Sequence, residues 1–536
     1  MPDGTVRPTS PNDQPRRGGW SAAPIIYEIY PRSFLDTTGS GEGDLAGITS
    51  RLDYVAGLGV EAIWLAPFYL SPMHDGGYDV QDHRLVNPRF GTEADFDALI
   101  LKAHSLGLKV ITDQVLNHTS HRHAWFANSV ERRGGYDDWY VWRDPKPDGT
   151  PPNNWLSQFG PPAWTWNHRR QQYYMHQFLD CQPNLNLRND AVKEELRRQL
   201  RGWKERGVDG FRFDAITSYL WDESFADNEP STPEVRERIS GPTYNPYSMQ
   251  DHANDMLPGD GLEFAPVVRE WAGDDLFLLG EITSGNKSVE LLNGLCCTEG
   301  LDAAYTTDLP ERGVSAATVL DVLDRQDAQR TFAWWLSSHD QPRPATAHGD
   351  GSPRDARFLG TLCALMPGPW LIFQGEELGL PQPYLDFDEN TDPFDRLYWP
   401  DAPGREGPRV PIPWAEGYVG FGFSSGKPWL PMRWDGGMSV LTQEADPESV
   451  LSYWRRLIAV RTQHGIGTAD VTGASAEGEV LTVDLSAGNA RMRSLLNFGR
   501  QDAPLPDWAA GAPLIASSPV DGTLPARTAA IWRRED

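Results

Sequence analysis

The sequence has no apolar run approaching the ~18 residues that a membrane-spanning helix requires. Its first 19 residues are polar and rich in Pro, Gly and Arg, without the apolar core of a secretory leader. Cysteine is scarce. Cys181, Cys296, Cys297 and Cys363 show no C-x-x-C spacing, which excludes a disulfide framework and predicts free thiols in a reducing compartment, the cytoplasm. Positive charge is also short: 48 Lys and Arg stand against 75 Asp and Glu, a net charge of −27. Nucleic acid wants a basic face and is excluded as a partner. Aromatic residues are plentiful, with 21 Trp, 20 Phe and 17 Tyr. Their faces suit core packing first, and sugar rings second. At 536 residues the chain exceeds one ordinary domain and can bury a large core.

From Trp20 onward, strand-like apolar runs alternate with helical ones. The pattern predicts strands over 25–30, 62–65 and 109–115, and helices over 48–58 and 94–105. This β-α-β-α-β order implies a parallel sheet with right-handed crossovers. Residues 118–189, rich in Trp, Pro, Asn and Asp, are too long for a βα loop and predict an inserted subdomain. A helix over 190–206 and a strand over 208–214 resume the rhythm. A polar, Pro-rich loop covers 221–262, and a helix over 447–464 closes the barrel. Alternating segments such as Val480–Leu485 predict a small β-domain over 466–536. The barrel itself occupies 20–117 and 190–465, preceded by a disordered tail over 1–19.

Three stretches each deliver one carboxylate: Gly207–Asp214, Leu278–Ile282 with Glu281, and Leu336–Asp340. An apolar run ending in a single charge is how a barrel strand ends when its tip is used for chemistry. Two such carboxylates suit glycosidic cleavage, one attacking or stabilising the sugar and the other donating a proton. Residues 212 and 214 share a strand face by the period of two, so Arg212 is expected to hold Asp214 ionised. Taken alone, that string also reads as a structural ion pair. Asp113-Gln-Val-Leu-Asn117-His118 is a further strand end, equally readable alone as an ordinary loop.

Together, Asp113–His118, Gly210–Asp214, the segment around Glu281 and Ser338-His339-Asp340 resemble the characteristic regions of the α-amylase superfamily, glycoside hydrolase family 13. Gln182-Pro-Asn-Leu-Asn186 is similar to a further region in that family's inserted subdomain. Tyr27–Phe34, Gly77–Val80, Gln374–Gly379 and Gly404–Trp414 resemble its α-glucosidase and oligo-1,6-glucosidase branch. The likeness spans about residues 20–535 in order. It implies an α/β fold: a (β/α)8 TIM barrel with an inserted subdomain after strand 3 and a C-terminal antiparallel β-domain. It implies Asp214 as nucleophile, Glu281 as acid/base and Asp340 as transition-state stabiliser. It also implies hydroxyl binding by His118 and His339, support of the nucleophile by Arg212, and stacking of Tyr78 on glucose. Asp75 and Arg405 would grip the 4-hydroxyl of a non-reducing end, although Arg409 lies in the same motif. Phe178 and Gln182 would line the pocket.

The expected protein is therefore an exo-acting, retaining α-glucosidase acting on small α-glucosides, with transglucosylation, as a monomer or homodimer with no membrane partner. Transglucosylases and sucrose or trehalulose isomerases use the same scaffold, and product analysis separates them. Amylase-like transporter ectodomains lack the triad and carry a membrane span. A carbohydrate-binding module needs no buried acids. Ala215 follows the nucleophile candidate. In similar enzymes Val there goes with α-1,6 activity and smaller residues with α-1,4, so α-1,4 is expected. The chain departs from the family at Ser338, for the usual Asn, and at Asn184, for the usual Asp. In the cation loop Asp36–Asp44, Thr38 and Ser40 replace oxygen ligands. No cofactor is required, and Asp36 and Asp44 are what remains for a structural calcium or magnesium. His118, His121 and His123 could ligate a metal, but read better as one sugar-binding residue and two surface residues.

Overall fold

The computed structural model describes residues 19–233, 236, 245–256, 262–283, 288–326, 331–401 and 404–534. The expected disordered tail, except Gly19, and part of the 221–262 loop lie outside these. Seven parallel strands form one sheet: β1 (Ile25–Ile29), β2 (Ala62–Leu65), β3 (Lys109–Gln114), β4 (Gly210–Phe213), β5 (Phe277–Ile282), β6 (Ala303–Thr306) and β7 (Trp370–Phe373). Their order is β6-β5-β4-β3-β2-β1-β7. Residues 332–336 fill the remaining place. Parallel bridges Ala304–Phe332 and Trp334–Trp370 tie that segment to β6 and β7, closing a (β/α)8 TIM barrel whose seventh stave is irregular.

The strand period of two sorts the side chains. Ile26, Trp64, Ile111, Leu279, Tyr305, Trp335 and Leu371 belong to one buried cluster inside the barrel. Their neighbours Ile25, Ile63, Val110, Leu278, Ala304, Trp334 and Ile372 face the helices in a larger cluster. Full burial of each large apolar side chain stabilises by about 1.5–3 kcal/mol, which lets the next layer carry charge. By the same alternation that layer receives Glu28, Asp113, Arg212 and Glu281, towards the C-terminal ends of β1, β3, β4 and β5.

Helix α1 (Leu45–Ala56) starts three residues before the expected residue 48, with Leu45 already on its buried face. Asp44 is its cap, the carboxylate accepting the Gly47 N–H at 2.6 Å. Helix α2 (Glu93–Ser105) opens on a Thr92–Asp95 capping box. Between β3 and helix α3 (Asp190–Glu205) the chain builds a three-stranded antiparallel sheet from Trp142–Arg143, Gln172–Met175 and Trp164–Asn167. A helix over Val450–Gln463 leads into the C-terminal antiparallel sheet, ordered Asp470–Glu477, Val480–Ala487, Ala490–Asn497, Thr528–Arg534 and Ile515–Ala516. No helix among the described residues is long and apolar enough to cross a membrane.

Candidate active site

Arg212 on β4 organises the site. It is 1% exposed. Its Nη1 donates to Asp113 at 2.7 Å and to Asp214 at 2.8 Å, and its Nη2 lies 2.5 Å from Glu281 Oε2. One planar guanidinium therefore joins carboxylates from three adjacent staves. Tyr78 Oη and Trp64 Nε1 donate to the far oxygen of Asp113, at 2.8 and 3.2 Å. Just past Asp214, Ala215 takes a left-handed conformation (φ 40°, ψ 46°). That turn aims the Ala215 N–H at Glu281 Oε2, 3.0 Å away.

A second ionic group surrounds Asp340, which follows the seventh stave. Arg405 and Arg409 both donate to its Oδ1, at 2.8 and 2.5 Å. The sequence motif left a choice between these arginines; the structure uses both. Arg405 also reaches Asp75 at 3.3 Å, and Arg409 reaches Asp392 at 3.0 Å. Gln182 donates to Asp75 at 2.9 Å and sits 3.1 Å from His118 Nε2. Asp75, Tyr78, His118, Phe178, Asp214, Glu281, Asp340 and Arg405 line one cavity of about 780 Å³. Arg212, Gln182 and His339 stand behind its wall, each 1% exposed or less.

Burial raises the pKa of Asp214 well above the ordinary carboxylate value, and the Arg212 guanidinium pulls it back only in part. Arg212 does pull Asp214 down, as expected, but burial outweighs it, joined by the nearby charges of Glu281, Asp113 and Asp340. Burial would raise Asp340 too, but Arg405, His339 and Arg409 hold it well below the usual range. The two histidines separate. Burial lowers His118 to about 3, leaving it neutral. Burial opposes charge on His339 as well, yet Asp340 and Glu28 lift it to about 10.

The cation loop does not fit a metal. Asp36 accepts the N–H groups of Thr38, Gly39 and Gly41 at 2.8, 2.9 and 2.7 Å and the Ser424 hydroxyl at 2.6 Å. Asp44 serves Thr37 and helix α1. Backbone and hydroxyl donors thus fill the oxygens a hard cation needs. The His118, His121 and His123 motif does not converge either: His121 is exposed, whereas His123, expected at the surface, is 3% exposed and its Nδ1 caps a helix by accepting the Trp125 N–H. Among the described residues, no group of three His, Cys, Asp or Glu could hold a metal ion.

Sequence reasoning assigned no role to Glu28, Asp113 or Asp392. Glu28 carried a readable signal, a lone charge at an inward position of an apolar strand.

A closed parallel barrel with carboxylates from neighbouring staves, an arginine between them and a third acid in the same pocket defines a glycosidase-type site. The sequence matches the alpha-amylase catalytic domain over residues 28–470, and the chain belongs to that family, a glycoside hydrolase. It is 42% identical over 511 residues to a probable alpha-glucosidase of Rhizobium meliloti (strain 1021), covering 91% of each chain. It is 35% identical over 489 residues to the trehalose-6-phosphate hydrolase of Escherichia coli (strain K12), covering 84% of this chain and 85% of that one. The solved structure of an alpha-glucosyl transfer enzyme matches with a TM-score of 0.90 at 37% identity, covering 96% of this chain and all of that one.

Proposed function

We propose that the protein is an exo-acting, retaining α-glucosidase with Asp214 as nucleophile, Glu281 as acid/base and Asp340 as stabiliser. The observation that carries this is the single guanidinium shared by Asp214 and Glu281 within the pocket, since a double displacement needs its two carboxyls close together. Asp214 attacks the anomeric carbon while Glu281 gives its proton to the departing oxygen. A glucosyl ester forms on Asp214 and the leaving alcohol departs. Glu281 then takes a proton from water, the water oxygen attacks the same carbon, and α-glucose leaves. Tyr78, His118 and Phe178 form the sugar-facing wall, and Asp75 with Arg405 grips the far hydroxyls of a terminal glucose. Arg212, Gln182 and His339 support these groups from behind. Ala215 leaves room for the α-1,4 geometry.

A second outcome shares the intermediate. The name of the matched glucosyl transfer enzyme favours a sugar hydroxyl replacing water when acceptor is abundant. The four free cysteines fit a reducing compartment. The test is proton NMR of the first product formed from an aryl α-glucoside or maltose. α-Glucose is expected, and β-glucose as the first product overturns the mechanism. Products at high sugar concentration give the ratio of transfer to hydrolysis.

A further inference from the structure

Glu28 takes no step in the double displacement. It lies one inward layer above Ile26 on β1 and is 1% exposed. A carboxylate there is costly unless paired. Its partner is His339. Glu28 Oε1 lies 2.5 Å from the imidazole Nδ1, and also accepts the His339 main-chain N–H at 3.4 Å. The ring is held by stacking with Tyr78 (5.1 Å, 11°) and Tyr30 (5.8 Å, 3°), while Trp64 meets it edge-on at 6.2 Å. Its other nitrogen, Nε2, is buried without a hydrogen-bond partner and lies 3.5 Å from Asp340 Oδ2.

We infer that Glu28 is a positioning residue that keeps His339 doubly protonated, so that Nε2–H is presented to Asp340 as a cationic donor through neutral pH. The geometry fixes the proton on Nδ1, because a carboxylate only accepts there. The second proton, on Nε2, then faces the second carboxylate. The remaining charged groups nearby are committed elsewhere. Arg212 is bound to Asp113, Asp214 and Glu281, Arg409 donates to the His339 carbonyl and to Asp340, and the Tyr305 hydroxyl is held by Arg212. Asp340 and then Glu28 act on the ring directly and lift it to about 10 against the effect of burial; burial also raises Glu28, and the charge on His339 pulls it back towards the ionised form. His118 is the internal contrast. Its Nε2 meets the Tyr78 carbonyl at 3.2 Å rather than a carboxylate, and it stays neutral.

The kinetic readout rests on the glucosidase reading; the charge state does not. Glu28→Gln keeps the volume and removes the charge, so His339, left with Asp340 alone, loses its charge at a lower pH than in the wild type. Compared with wild type, kcat/KM on an aryl α-glucoside should fall by about 10–100-fold at pH 8, taking as a guide the loss on removing the carboxylate partner of a metal-bound histidine, and much less at pH 5.5. A loss of equal size at every pH, or no loss, overturns the inference. Nitrogen-15 NMR of His339 in the wild-type protein at pH 7.5 decides the matter even if the variant does not fold. Both ring nitrogens protonated is the expected result, and a single neutral tautomer overturns it. If wild type turns over no α-glucoside, the glucosidase reading fails while the nitrogen shifts still judge Glu28.

Discussion

At the scale of single residues, Arg212 joins three carboxylates, and its loss should be read through pH. Arg212→Ala leaves buried carboxylates uncompensated and should destabilise the fold by about 3–5 kcal/mol near neutral pH. The penalty should shrink towards pH 4 as Asp113 and Asp214, both raised by burial, take up protons. Denaturant midpoints at pH 4.5 and 7.5 check this, and an equal loss at both contradicts it. Ala215 gives a second prediction. A β-branched side chain is ill suited to its left-handed backbone, so Ala215→Val should lower stability by about 1–2 kcal/mol. It should also raise isomaltose over maltose turnover by a partial bias, worth about 1–3 kcal/mol. An unchanged ratio removes the steric account of linkage preference. Asp214, Glu281 and Asp340 were legible in the sequence because each stands at or near the end of an apolar run. Glu28 obeys the same rule but sits inside its strand, where a charge looks like noise. Arg405 and Arg409 could not be ranked, since residues four apart in one motif both reach Asp340.

At the scale of elements, strands β2 and β3 and helix α2 fell close to where the pattern placed them, because apolar spacing alone defines them. Helix α1 began three residues early, because Asp44 caps it there and Leu45 already shares the buried face of Ile48, Leu52 and Val55. Asp44 was read as a possible cation ligand, yet its carboxylate holds the first turn of the helix. The two readings diverge experimentally. Asp44→Ala should cost about 1 kcal/mol and lower the thermal midpoint measurably. EDTA should leave the wild-type midpoint and activity unchanged. An EDTA-induced loss restored by calcium or magnesium would show that the loop rearranges around a metal. The irregular seventh stave was equally hard to foresee. Its composition, Phe-Ala-Trp-Trp-Leu, is that of a regular strand, and only the pairing with β6 and β7 shows two isolated bridges.

At the scale of the whole molecule, the alternation of strands and helices made the barrel readable, whereas the closing contact between its two ends was not, because pairing across such sequence distance leaves no local mark. His339 and Asp340 also set the response of the fold to pH. Asp340, held low, contributes stability above about pH 4 and loses it as pH falls further. His339, held at about 10, contributes fully below its ordinary value of about 6.5, and that part fades as pH rises through about 10. The growing self-repulsion of a chain with net charge −27 acts in the same alkaline direction. Thermal midpoints should therefore fall from pH 5.5 to 9.5, and a rise would refute the assignment. Barrel closure also has a consequence in time. Ile25 pairs with Trp370, so β1 keeps an open edge until nearly three-quarters of the chain has been made. At about 5–20 residues per second, that delay lasts tens of seconds on the ribosome. For most of it His339 has not yet been made, and an unpaired edge beside a lone carboxylate invites chaperone capture or aggregation. Stalled nascent chains ending short of residue 370 should stay protease-sensitive at β1, and gain protection only once β7 has emerged.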